Sequence, residues 1–108
     1  MSTPRPGARV RGSRSGRPIM AALDLLGRRW ALRILWELRA GALPFRALRA
    51  AAGDVSPAVL NTRLAELREA GLVESTNEGY ATTVAGRELC RALEPLSRWA
   101  QRWSRQLG

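Results

Sequence analysis

The sequence predicts a mainly α-helical domain carrying one small β-hairpin. Apolar residues recur at helical spacing in several short runs, and most of these runs stop at a glycine. Ser56-Pro57 pairs a good N-cap with the proline favoured at the first helical position. Between the fourth run and the last, residues 72–82 read instead as two short strands around a polar turn. A chain of 108 residues with 45% hydrophobic residues supplies one domain with a modest core, which gains from a partner.

Residues 1–18 hold Pro4, Pro6 and Pro18, three glycines and Arg5, Arg9, Arg11, Arg14 and Arg17, with no acid. Such a segment has too little apolar surface to order itself, so it is expected to be a disordered Arg-rich arm, either dispensable or tracking DNA. The domain is expected over 19–108. Its first helix runs from Ile19 through Leu23 to Leu26 and stops at Gly27. The second, 30–39, is apolar on most sides through Trp30, Leu32, Ile34, Leu35, Trp36 and Leu38. After Pro44, the spacing of Phe45, Leu48 and Ala51 predicts a third helix ending at Gly53. The fourth helix, 56–70, buries Leu60, Leu64 and Leu67 and ends at Gly71. Strands are expected at 72–75 and 80–82, with Thr76, Asn77, Glu78 and Gly79 reversing the chain. Thr83 caps the last helix, which carries Leu89, Leu93, Leu96, Trp99 and Trp103. Pro95 should kink or break it, because proline removes a backbone bond and clashes with the Arg91 carbonyl. Helices two to four followed by a two-stranded hairpin make a winged helix-turn-helix.

Charge narrows the partner. The chain has 18 basic residues, all arginine, against 9 acids, for a net charge of +9. Arginine's planar fork suits phosphate oxygens and the guanine edge, although a Lys-free, Ala-rich composition also follows from GC-rich coding. The single cysteine, Cys90, cannot form an internal disulfide, and no apolar run is long enough to span a bilayer, so a soluble cytoplasmic protein without cofactor is expected. Histidine is absent, which excludes Ser-His-Asp and Cys-His catalysis, and the acids are scattered along separate elements, so no enzyme is expected.

In a helix-turn-helix the second helix lies in the major groove, its N-terminal residues at base edges. With the leucine stripe inward, Ser56, Ala58, Asn61, Thr62 and Arg63 become the base-reading candidates. Asn61 suits adenine N6/N7, Thr62 a thymine methyl or phosphate, and Arg63 guanine or phosphate. Arg28, Arg29, Arg46 and Arg49 would flank that face as phosphate clamps, and Thr76 and Asn77 would form the wing tip. Each of these polar residues can equally be an ordinary solvated surface group.

Over residues 17 to about 103 the chain resembles the HxlR-type winged-helix regulators. The resemblance rests on Arg17-Pro18-Ile19, on Leu23-Asp24-Leu25-Leu26-Gly27-Arg28-Arg29-Trp30, on Ile34-Leu35 and on Pro44-Phe45-Arg46-Ala47-Leu48-Arg49. Ser56, Leu60, the Leu64 to Leu67 stripe, Ala70-Gly71-Leu72-Val73, Tyr80, Thr83 and Gly86 follow in the same order. It implies a homodimeric regulator of double-stranded DNA in which the first and last helices form the seam, here Ile19, Leu23, Leu96, Trp99 and Trp103. Trp99 and Trp103 would otherwise cap the core within one chain. Two departures stand out. Several redox-sensing members carry a cysteine where this chain has Arg17, and the wing is shorter than usual. Cys90 then reads as a core or interface residue. A Trp-lined pocket at Trp30 and Trp36 would suit a small apolar effector. The competing reading is an RNA-binding or protein-docking winged helix, which would bind polyanions without sequence preference.

Overall fold

The computed structural model describes residues 17–108, so the arm expected over 1–18 lies outside the described residues except for Arg17 and Pro18, which open the first helix. The elements follow in the expected order: α1 Pro18–Leu26, α2 Ala31–Glu37, α3 Phe45–Ala51, α4 Pro57–Glu69, β1 Val73–Thr76, β2 Gly79–Thr82 and α5 Val84–Leu107. Among the described residues no helix is long and apolar enough to cross a membrane.

One apolar cluster organises these elements. Ile34, Leu35 and Leu38 from the second helical segment meet Leu48, Leu60, Leu64 and Leu67, all fully buried, and Leu25, Val55, Val73 and Cys90 close the cluster. Each such side chain contributes roughly 1.5–3 kcal/mol by leaving water. Five elements therefore share one core with the inner face of α4.

Helix α4 is finished at both ends. The Ser56 side chain accepts from the Val59 N–H, and Pro57 occupies the first helical position. At the other end Gly71 takes φ +77°, and the Gly71 and Leu72 amides donate to the Arg68 and Leu67 carbonyls. This double return satisfies carbonyls that would otherwise be orphaned, and the left-handed position favours glycine.

The turn of the hairpin is tighter than expected, and the hairpin is braced from outside. Its antiparallel register pairs Val73 with Thr82 and Thr76 with Gly79, leaving Asn77 and Glu78 as the turn. Leu43, between α2 and α3, bridges to Tyr80 through two backbone bonds of 2.9 Å. The approach is so close that a Cβ on Gly79 would fall 2.4 Å from the Leu43 carbonyl carbon, so glycine is required there.

Three sequence expectations need correction. Helix α2 begins at Ala31, because Trp30 sits in left-handed backbone at φ 77° as its N-cap. A bulky residue in that region stores strain of about 1–3 kcal/mol, which burial of the indole against the core offsets. Helix α5 does not break at Pro95 but runs through it for 24 residues. Pro95 and Arg91 are both exposed, so water can satisfy the carbonyl that proline leaves unbonded. Trp99 and Trp103 do not cap the core either; both lie outside the buried cluster and are half exposed.

Candidate nucleic-acid interface

The segment joining α3 to α4 sets the angle between the pair. Its backbone turns through two left-handed residues, Gly53 at φ 85° and Asp54 at φ 58°. Arg49 holds the turn shut: its Nε donates to the Val55 carbonyl at 2.7 Å, and its own carbonyl accepts from the Asp54 N–H at 2.9 Å. Val55 is buried beneath. One expected phosphate clamp thus serves as the brace of the turn.

On α4 the leucine stripe turns Ser56, Ala58, Asn61 and Thr62 outward, and all four are exposed on the N-terminal half. Asn61 has no hydrogen-bond partner among the described residues, which leaves its amide free to donate and accept in the adenine pattern. The Thr62 hydroxyl donates to the Ala58 carbonyl at 3.0 Å, so it has only acceptor capacity and a methyl group to offer. Ser56 spends its oxygen on the cap.

Arg63, the fifth candidate, is turned back into the protein. Its Nε donates to the Arg29 carbonyl at 2.7 Å, and its Nη1 meets Glu66 Oε1 at 2.9 Å. Arg28 approaches the other oxygen of Glu66 from the α1–α2 turn at 2.5 Å and lies 3.5 Å from Asp24. Sequence reasoning left Glu66 unassigned, since nothing in the local pattern shows where a mid-helix carboxylate finds its partners.

The four expected phosphate residues therefore divide in two. Arg46 is exposed and has no partner among the described residues, and Arg29 is exposed with its guanidinium 5.5 Å from the Trp30 ring. Arg28 and Arg49 are committed to contacts within the fold. At the wing, Thr76 closes the turn, donating to the Gly79 carbonyl at 2.8 Å and accepting from the Glu78 N–H at 3.1 Å. Asn77 is exposed at the tip beside Glu78. Residues 73–82 contain Glu74 and Glu78 and no arginine, a charge of the wrong sign for phosphate.

A second surface lies on α1 and α5. Ile19 and Leu23 are more than half exposed on one face of α1, and Leu96, Trp99, Trp103 and Leu107 follow one another along α5. The two indoles stack with centroids 5.5 Å apart and planes 8° from parallel. Beside this stripe a largely apolar groove of about 360 Å³ opens between α2 and α5, lined by Leu32, Arg33, Trp36, Leu93, Leu96 and Ser97. Trp36 lines it and Trp30 does not. Cys90 lies elsewhere, buried in the core with its Sγ 3.8 Å from the Leu35 carbonyl, and burial pushes its thiol pKa up despite the nearby Arg39.

Residues 25–107 match the family described as HxlR-like helix-turn-helix. The uncharacterized HTH-type transcriptional regulator YvaP of Bacillus subtilis is 33% identical over 89 residues, which cover 76% of this chain and 82% of that protein. Among solved structures, a possible HxlR family transcriptional factor from Thermoplasma volcanium superposes with a TM-score of 0.72 at 27% identity, covering 89% of this chain and 87% of that one. The quinone-bound YodB of B. subtilis superposes with a TM-score of 0.66 at 30% identity, over 82% and 96% of the two chains.

Proposed function

The chain belongs to the HxlR-like helix-turn-helix family of transcriptional regulators, and from that premise we propose that it binds double-stranded DNA sequence-specifically as a homodimer. The observation that carries this reading is the outer face of α4, where the unpartnered Asn61 stands beside Thr62, Ala58 and Ser56 on a helix anchored on its other side. Placed in the major groove, Asn61 pairs with adenine and Thr62 contacts a thymine methyl.

Arg46 and Arg29 neutralise phosphates on either side, while Arg28, Arg49 and Arg63 serve the reader from inside. The wing stays off the backbone, since its acids would be repelled by phosphate. The dimer seam is formed by the exposed apolar faces of α1, at Ile19 and Leu23, and of α5, at Leu96, Trp99 and Trp103, large apolar groups that are costly to leave in water and that suit an isologous contact. The groove beside it, lined by Leu32, Trp36 and Leu93, takes a small apolar effector. The bound quinone in YodB supports a ligand of that kind. Quenching of tryptophan fluorescence by a small quinone, diminished in Trp36→Phe, checks it.

Selection from a random duplex library at near-physiological salt tests the main proposal. The expected result is a two-fold-symmetric site with half-sites about 34–36 Å apart, or a multiple of that. Binding without enrichment of any sequence overturns it and leaves general polyanion binding.

A further inference from the structure

Leu60, Leu64 and Leu67 pack α4 onto the core and decide which face turns outward, but apolar contact is not directional, so a small roll of the helix costs less there than across a hydrogen-bonded ion pair. Roll matters here. At a side-chain radius of ~6 Å, a rotation of about 10° moves the tip of Asn61 by ~1 Å, enough to spoil a two-bond contact to a base. A directional contact would set the last few degrees.

Glu66 is placed to do so. It follows Asn61 and Thr62 by about one turn on α4, and its two oxygens are taken by arginines from different parts of the fold. Arg28 comes from the α1–α2 turn, while Arg63, on α4 itself, reaches the Arg29 carbonyl on that same turn. The side chains of Arg28 and Glu66 are 14% exposed and that of Arg63 21%, so water screens these bonds weakly. Asp24, 3.5 Å from Arg28, joins the cluster to α1 beside the exposed Leu23.

We propose that Glu66 is a positioning residue for base recognition: through Arg28 and Arg63 it fixes the rotation of α4 against the α1–α2 turn and hence against the dimer seam. This rests on the reading that α4 reads DNA. Removing the carboxylate charge leaves the helix packed but its roll less restrained, and it loosens Arg63 and Arg28, which keep the Arg29 carbonyl and Asp24. Sequence discrimination falls while general attraction for phosphate does not.

The test compares Glu66→Gln, Arg28→Gln and Asn61→Ala with the wild type. Each is measured on the duplex that the wild type selects from a random library and on a random duplex of equal length. Glu66→Gln is expected to lower the specific-to-random ratio about tenfold, the size of one lost base discrimination, and to keep or raise affinity for the random duplex. Its salt slope should steepen by up to about one as a released arginine finds phosphate. Arg28→Gln keeps Glu66 balanced by Arg63, so it leaves no unpaired carboxylate there and serves as the second variant if Glu66→Gln does not fold. It should lower the ratio too. An unchanged ratio in both folded variants overturns the proposal, as does an equal loss on both duplexes in Arg28→Gln, which would make Arg28 a phosphate contact. Asn61→Ala separates the two failures. If it too leaves the ratio unchanged, the reading of α4 falls; if it alone relaxes discrimination, only the role of Glu66 does.

Discussion

Helices α4 and α5 both carry an apolar stripe, but only α4 buries it within the chain. Leu60, Leu64 and Leu67 of α4 are almost without solvent contact, and both ends of that helix are capped. Helix α5 is nearly twice as long, and only its first half is anchored. Gly86 lies so close to the Leu72 carbonyl that a Cβ would overlap it, Thr83 bonds the Gly71 carbonyl, and Cys90 enters the core. Beyond Pro95 the stripe continues through Leu96, Trp99 and Trp103, each about half exposed. The lesson is that the same pattern at the same spacing serves two ends. In α4 it fixes an internal helix so that the opposite face can be offered outward, and in α5 it leaves an exposed apolar surface, the one proposed as the dimer seam.

Breaking the anchored side should have the largest effect. Leu64→Ala leaves a cavity beneath α4 and is expected to cost about 2–5 kcal/mol of folding stability, read as a lower midpoint in urea unfolding. An equal truncation at the end of α5, Leu107→Ala, should leave the protomer's own stability within about 0.5 kcal/mol, because that side chain is 72% exposed.

The pair Trp99→Ala with Trp103→Ala breaks the other side. We expect a loss of about 2 kcal/mol or more in dimerisation, seen by light scattering as a shift toward monomer. Weaker binding to a two-half-site duplex should accompany it. An unchanged mass would move the seam to another surface and leave the stripe unexplained.

Arg46→Ala sharpens the contrast between reading and holding. Because Arg46 is exposed and unpartnered among the described residues, its removal should weaken binding to all sequences alike and reduce the salt slope by about one. Discrimination among sequences should be untouched.

Cys90 marks where the anchored half of α5 lies, and the smallest effect is expected there. Burial disfavours the thiolate, so alkylation by iodoacetamide should be slow in the folded protein and rapid only after unfolding. The sign for stability follows. A thiol whose pKa is raised by folding contributes stability below its ordinary pKa, and that contribution is lost as pH rises through the raised value. Fast labelling of the native protein would show that the proximal half of α5 opens as freely as its distal half.

Much of the fold was legible along the chain. The leucine stripe, the Ser56-Pro57 start and the Gly71 stop delimit α4, because periodicity, capping and left-handed glycine are properties of neighbouring residues. Pro95 misled, since a local rule for proline does not say whether water can reach the carbonyl that it strands. That Asn61 and Thr62 lie on the exposed face of α4 was legible from the leucine stripe, but the fates of the arginines were not.

By itself, then, the sequence determined the fold class, the order of elements and the apolar spacing along α5, all of which follow from residues within a few positions of one another, while the structure decided that the distal part of that stripe stays outside the core. Only the tertiary structure decided which arginines face solvent. Arg28 meets Glu66 across 38 positions and Arg63 meets the Arg29 carbonyl across 34. It likewise decided that Leu43 would bridge to Tyr80 and brace the hairpin. An arginine's long flexible stem reaches many partners, and which one it takes depends on where packing of the core brings the other elements, information that no local pattern carries.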